Sequence, residues 1–458
     1  MAFFHPFTND GGGGERVLWC APARPLSLAL SRLDARRCAV RAVQAAAPAA
    51  QVFIYTGDAT PADQLCQRAS TLFGVPCLRP VLTVRLRCRS LVLPERYPVL
   101  TLLGQSLGSM VLGLEALWRL TPELFIDTAG YAFTYPLALA AGARVACYTH
   151  YPMVSTDMLS AVASRAPSFN NRSVVARSAV LSALKLRYYN LLAMLYGAAG
   201  RCATVCMVNS GWTEAHIAAL WSRQPVIVYP PCDIAALVKM PLQRPALPRT
   251  LISVAQFRPE KAHALQLRAW AAVMRRAAAA DFRGRHAALR GARLVLVGGT
   301  RNEADAQRLA GLKALSASLG IDASVDFQIG IPSSQLRTLL GAAHAGLHTM
   351  RDEHFGISVV EYMAAGAVPI AHDSGGPKED ILVPADPGGA LPGRLACTEE
   401  QFAEAIEEVL CWPEEQRLRV AGEAREGASY FSEEMFASDF VGAVGRLLPR
   451  EKMSRKED

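Results

Sequence analysis

The sequence predicts an α/β protein of two domains with parallel sheets, the second domain doubly wound, and three observations carry that expectation. Strand and helix patterns alternate through both halves, which argues for parallel sheets covered by helices. At 458 residues the chain is too long for one ordinary core and fits two domains of roughly 200 residues each. Between the halves lies a proline-rich stretch, with Pro230, Pro231, Pro241, Pro245 and Pro248, that reads as a linker. This pattern sets expected boundaries of 1–240 for the first domain, 241–430 for the second, and 431–458 for a C-terminal helix with a charged, disordered tail.

In the first half, candidate strands cover 52–55, 124–127, 145–148 and 205–209. After the linker the rhythm is regular. A strand over 251–255 precedes a helix over 262–276, and a strand over 294–297 ends in Gly298-Gly299 before a helix near 303–319. A strand over 325–329, a helix over 334–342 and a strand over 345–349 follow. Such domains carry ligands on the loops at the strand C-termini. Residues 277–293, AAAADFRGRHAALRGAR, read as a surface insertion without chemistry.

Composition narrows the class. A hydrophobic share of 51% with 19% charged residues is globular, and the net charge of +8 suits anionic lipid, diphosphate or nucleic acid equally. The 11 cysteines are scattered, odd in number and without C-x-x-C spacing, as expected for reduced cytosolic thiols. The N terminus meets Asp10 and a glycine run almost at once, so no signal peptide is expected, and the sequon at Asn171 would go unused. The longest charge-free run, 97–114, includes Thr101, Gln105, two serines and three glycines, which favours a buried or interfacial helix over a membrane span.

Chemistry concentrates in 351–376, RDEHFGISVVEYMAAGAVPIAHDSGG. Glu353 and Glu361 are separated by seven residues, and a loop turns into a helix between them. The helix is expected over 356–365, ending at Gly366 before a buried strand over 368–371. The first N–H groups of such a helix lack intrahelical partners and sit at the positive end of its dipole, so they suit a diphosphate. Two carboxylates flanking an anion site fit a nucleotide sugar, whose hydroxyls lie on both sides of its diphosphate. An ordinary surface helix with two acids would share the pattern. At the other end, FFHPFTNDGGGGERVLW (3–19) places Gly11 to Gly14 before a helix, a cradle for phosphate or sugar that lacks the G-x-G-x-x-G form.

Six blocks now resemble one family. They are FFHPFTNDGGGGERVLW, the stretch 101–137 from TLLGQSLG to YAFTYPL, HYPMVSTDML, MVNSGWTEAHI, SVAQFRPEKAH and EHFGISVVEYMAAGAVPIAHDSGGPKEDI. Together they look like the GDP-mannose-dependent α-1,2-mannosyltransferases of the dolichol-linked oligosaccharide pathway. The long blocks are specific to that family, whereas Glu-x7-Glu alone occurs in many retaining glycosyltransferases. The resemblance implies a GT-B fold, two Rossmann-like domains facing across a cleft. It implies retaining transfer of the fourth and fifth mannoses from GDP-mannose to a dolichyl-diphosphate-linked trimannosyl-chitobiose core. The place would be the cytosolic face of the endoplasmic reticulum membrane, with peripheral attachment. The implied partners are that lipid acceptor, the membrane surface and other glycosylation enzymes, with no nucleic acid, no metal and no cofactor.

Carried over residue by residue, the resemblance puts Glu353 at the donor mannose and Glu361 at the guanosine ribose. Backbone N–H groups of Phe355, Gly356 and Ile357 would hold sugar and β-phosphate, and Gly12 and Gly13 would approach the diphosphate. His150, just after a strand, would sit beside the sugar, although a core histidine capping a strand end reads the same in sequence. Arg258 and Lys261 would supply charge to the departing GDP, a task that falls to basic groups where no Asp-x-Asp pair is evident. Arg258 stands three residues before Lys261 rather than the five common in related transferases, with Gln256 at the usual place. Retention without a visible nucleophile suggests front-face attack assisted by the leaving diphosphate. The helical pattern over 178–199, with Lys185, Arg187 and three tyrosines, follows Arg165, Arg172 and Arg177. It suits a membrane interface as well as a core-packed helix. The basic cluster 85–89 is expected to face water. Three rivals remain: a transferase of the same fold with another nucleotide sugar or lipid acceptor, a dinucleotide-dependent oxidoreductase, and a catalytically silent subunit that binds nucleotide sugar.

Overall fold

The computed structural model describes residues 1–8, 17–18, 39–73, 80–154 and 179–448. The glycine run with Gly12 and Gly13, the sequon, and Arg165, Arg172 and Arg177 lie outside the described residues. The chain forms two compact units, Met1–Pro231 together with Glu433–Asp458, and Cys232–Ser432.

The first unit is built on a parallel sheet of seven strands: β1 (Ala2–Phe4), β2 (Phe53–Thr56), β3 (Leu82–Arg85), β4 (Leu124–Asp127), β5 (Arg144–Thr149), β6 (Val205–Val208) and β7 (Val226–Ile227). Their order is β3-β2-β1-β4-β5-β6-β7. Every pairing is parallel, and the central strands are buried on both faces, which is why they read as continuous apolar runs such as FIYT and LFID. The C-terminal helix Glu433–Val444 belongs to this unit. Its Phe436, Phe440 and Val444 recur at helical spacing and join Phe3, Val40, Ile126 and Tyr148 in one core.

The second unit carries a parallel sheet of six: β8 (Thr250–Val254), β9 (Arg293–Gly298), β10 (Val325–Ile329), β11 (Ala345–His348), β12 (Val368–His372) and β13 (Arg394–Ala396), in the order β10-β9-β8-β11-β12-β13. Counted from its own first strand this is 3-2-1-4-5-6, the dinucleotide-fold order, and the other sheet repeats it with a seventh strand added. In both, the strand order reverses between the first and fourth strands. Open parallel sheets bind ligands outside the carboxyl ends of the strands at that reversal. The eligible ends are therefore β1 and β4 in the first unit, β8 and β11 in the second.

Three sequence readings are corrected. The stretch 277–293 is not a surface insertion: the helix His263–Ala279 covers its start, and Ala277, Leu289 and Ala292 sit in the core. The apolar spacing within an Ala/Arg-rich background hid this. Cluster 85–89 faces water at Arg85 and Arg87 as expected, but not at Arg89, which pairs with Asp58 and lies 5.0 Å over the Phe7 ring. The proline-rich stretch is no free linker within the second unit. Arg244 is buried there and donates to the carbonyls of Ala343 (3.0 Å) and Ala365, so the polar groups at two element ends are met by one guanidinium. The charge-free run becomes the helix Thr101–Arg119, and the 178–199 pattern becomes Ala179–Gly200.

Candidate active site

In the second unit the loop after β8 leads through Arg258 into a short turn, Pro259–Lys261, and the loop after β11 carries residues 349–356. The two loops meet at Glu353. Lys261 donates its Nζ to Glu353 Oε2, and His348 donates its Nε2 to the same oxygen at 3.1 Å. Among the described residues Oε1 receives no protein donor. Burial alone would raise the Glu353 carboxyl, but the His348 hydrogen bond and the Lys261 charge outweigh it and hold the group well below the usual carboxylate range. Glu353 is therefore an anion with one oxygen committed and one available. Thr349 ties the loops further, donating to the Lys261 carbonyl at 2.9 Å and accepting from Gln266 at 2.9 Å. The His348 ring is 97% buried, and its Nδ1 has no partner.

The helix Ile357–Ala365 begins where the sequence places it. Gly356 is its N-cap at φ +112 and Gly366 its C-cap at φ +82, so both ends use the left-handed region that favours glycine. Phe355 is buried edge-on to Phe431, and Glu361 is half-buried on the second turn. The segment after β12 holds the loop from behind. Asp352 donates its N–H to Ser374 Oγ at 2.8 Å, and Gly376 donates to the Glu353 carbonyl at 2.9 Å. Gly375 has φ +61, and a Cβ there would stand 2.3 Å from the Glu353 carbonyl oxygen. Gly375→Ala is expected to cost about 1–3 kcal/mol of stability through that strain. It should also lower the rate by displacing Glu353. Thermal melts and steady-state rates check this, and unchanged values in both would show that the loop is not held there. Arg258 stays apart from this cluster: its nearest acid is Glu260, at 3.7 Å.

In the first unit, His150 follows β5. Its ring packs 4.9 Å from Tyr148, and its Nε2 donates to the Thr128 carbonyl at 3.1 Å. Thr128 also bonds His5 at the end of β1, through Oγ1 and Nδ1 at 2.9 Å. Burial, then repulsion from His150, pushes His5 down to about 3, so it stays neutral. Asp127 shapes the turn beyond β4. It accepts from the N–H groups of Ala129 (2.9 Å), Gly130 (3.2 Å) and Tyr131 (2.7 Å), and from the Tyr135 hydroxyl (2.6 Å). Burial pushes it up to about 6, while those four donors pull the other way. A cavity of about 270 Å³ opens beside His150, lined among others by Gln105, Ser106, Ser109, Tyr131 and Tyr151.

Residues 1–27 and 37–221 match the family described as ALG11 mannosyltransferase N-terminus, and residues 239–427 match glycosyl transferases group 1. The chain is 44% identical to the Mus musculus GDP-Man:Man(3)GlcNAc(2)-PP-Dol alpha-1,2-mannosyltransferase over 98% of its own length and 87% of that protein's. It belongs to that family of mannosyltransferases. The Homo sapiens member is also 44% identical over 98% and 87%, and the Dictyostelium discoideum member 40% over 98% and 85%. Among solved structures, Anabaena Alr3699/HepE with UDP and glucose superposes with a TM-score of 0.60 at 14% identity, covering 97% of this chain and 99% of that one. OtsA superposes with 0.64 at 10% identity, covering 98% and 99%. These likenesses show a GT-B fold. Within it, the family motif residues Glu353 and Lys261 are brought into contact, and His150 stands at the cavity in its own unit.

Family-style sequence reading missed His348, Thr349, Asp127 and His5. The first two could have been found from LHTM ending a predicted strand, since strand C-termini are where this fold puts its ligands. Asp127 has the signature of a strand-ending acid before a glycine turn. Among the described residues no group of three His, Cys, Asp or Glu side chains is placed to hold a metal ion.

Proposed function

We propose that this protein transfers mannose from GDP-mannose, with retention, to a dolichyl-diphosphate-linked trimannosyl-chitobiose, adding the fourth and fifth residues in α-1,2 linkage. The observation that carries this reading is identity of 44% over 98% of the chain to a protein named for that donor, acceptor and linkage. The Glu353 geometry supports it. Oε1 would accept from a hydroxyl of the donor mannose, and Glu361 from the guanosine ribose. The diphosphate would lie at the start of the helix Ile357–Ala365, held by N–H groups of Phe355, Gly356 and Ile357. There it competes with Glu353 for the Lys261 ammonium. Gly12 and Gly13 complete the phosphate contacts, Arg258 adds positive charge, and His150 holds the sugar. The acceptor hydroxyl attacks the mannosyl C1 from the face that the β-phosphate leaves. The bond from C1 to the phosphate oxygen breaks as the new C1–O bond forms, the proton passes to the departing phosphate, and GDP is released.

Incubation with GDP-mannose and a synthetic lipid-linked trimannosyl acceptor, read by mass, should give products one and two mannoses heavier. Added EDTA should slow the reaction only modestly, since Lys261 and helix donors meet the leaving charge. A product from UDP-glucose and none from GDP-mannose would overturn the donor assignment.

We place the activity on the cytosolic face of the endoplasmic reticulum membrane, attached peripherally, with other glycosylation enzymes as further partners. No helix among the described residues is long and apolar enough to cross a membrane. The helix Ala179–Gly200 exposes Leu184, Leu191 and Met194 together with Arg187, and its Lys185 lies 5.5 Å over the Tyr189 ring. That mix suits an interface between water and lipid.

A further inference from the structure

We infer that the outer face of the helix Thr101–Arg119 docks flat on an anionic lipid bilayer. The inference rests on the acceptor reading above and goes beyond it, because that reading assigns only the helix Ala179–Gly200 to the interface and gives the helix Thr101–Arg119 no part in it. Leu107, Val111, Leu114 and Trp118 recur at i, i+4, i+7 and i+11, so they form one stripe along the helix. A stripe of that kind normally faces a core. Here the four are 56%, 45%, 52% and 87% exposed. Val99 and Leu100, just before the helix, add 76% and 52%. A contiguous apolar surface left in water marks a docking site, and a tryptophan at its edge is the side chain that favours a bilayer's interface.

The charges identify the partner. From 80 to 119 the sequence holds Arg85, Arg87, Arg89, Arg96 and Arg119 against Glu95 and Glu115, a net of +3 (5 − 2). Arg85, Arg87 and Arg96 are exposed. Arg87 is held beside the helix by its N–H bond to Glu115 at 2.8 Å. Basic groups rimming an apolar stripe fit phosphate headgroups above acyl chains. A second copy of the chain would bring the same arginines against themselves.

The helix also has the right inner face. Gln105 and Ser109 lie about 150–170° around from the stripe and Ser106 about 110°, at 3.6 residues per turn, and all three line the cavity beside His150. A helix with side chains is about 10–12 Å across. With the stripe on the bilayer, the sugars of a lipid-anchored acceptor need to rise only about that far to reach the cavity. The adjoining helix Ala179–Gly200, joined through the Tyr188 hydroxyl and the Leu103 N–H at 3.0 Å, brings Lys185 and Arg187 to the same region of the unit.

The test is flotation of the full chain with vesicles of phosphatidylcholine and phosphatidylserine, beside Val111→Asp/Leu114→Asp. Thermal melts of both proteins control for folding. Wild type should float, and the double variant should bind at least about tenfold more weakly, as charges forced into an acyl boundary are opposed there. Brominated lipid should quench wild-type fluorescence, and Trp118→Phe should remove most of the quenching. Equal flotation of wild type and double variant would overturn the assignment. So would a wild-type dimer that ignores vesicles and falls apart in the double variant. Transfer to a short-chain, water-soluble acceptor separates the two readings. If it persists while wild type fails to float, only the docking surface is wrong. If it is absent from wild type, the proposed function fails whatever the vesicles show.

Discussion

Glu353→Ala should lower kcat by at least about 100-fold, the scale of losing a group that acts on the reacting sugar, while the fold survives. The alanine leaves two orphans. Lys261 loses its anion, and His348 loses the acceptor for its Nε2 proton. An unpaired ammonium at the proposed diphosphate site would attract GDP, so the KM for GDP-mannose should stay level or fall. That split between kcat and KM distinguishes a transition-state role from plain donor binding. Glu353→Gln keeps the shape but turns an amide toward two donors, so it should not restore the rate. The linkage to pH has a definite sign. The native carboxyl is held far below its unfolded range, so its stabilising contribution is complete above the unfolded value near 4.5 and fades as pH falls through the folded one. The stability gap between wild type and Glu353→Ala should therefore be widest at neutral pH and shrink in acid. Steady-state kinetics and melts across pH measure both. A rate within tenfold of wild type would remove Glu353 from the chemistry.

The helix beyond Glu353 was legible because its signals are local. Glycine stands at both of its ends, the two glutamates share its start, and VPIAH follows as a buried strand. The same holds for the alternating sheets, whose strands read as short apolar runs. Contacts that span the chain were not legible. Lys261 meets Glu353 across 92 residues, and Gln266 meets Thr349 across 83. No periodicity announces such pairs; the sheet order creates them by placing the ends of β8 and β11 side by side. Phe436, Phe440 and Val444 show a helix with an apolar face, but not that the face returns to pack against β1 and β4. The outer stripe of Thr101–Arg119 shows the opposite limit. Its spacing looks like core, and only the fold reveals that the expected cover is water.

His150→Ala should be the second large loss, about 100-fold or more in kcat if the ring acts on the reacting sugar, with a normal melt. The imidazole is placed with care. Tyr148 supports its ring, the Thr128 carbonyl takes its Nε2 proton, and Asp127 fixes the turn that presents that carbonyl. The ring also lines the cavity, which is where a sugar would meet it. A packing histidine would have shown the reverse, with a large drop in melting temperature and a modest change in rate. A separate readout follows from His5. Its pKa lies near 3, first through burial and second through repulsion from His150. Removing His150 lifts the repulsion and lets water closer, so the His5 titration should move upward, visible in its imidazole proton shifts. If the rate stays within tenfold of wild type while His5 moves as expected, the ring is a neighbour of the cavity and not a participant in the transfer.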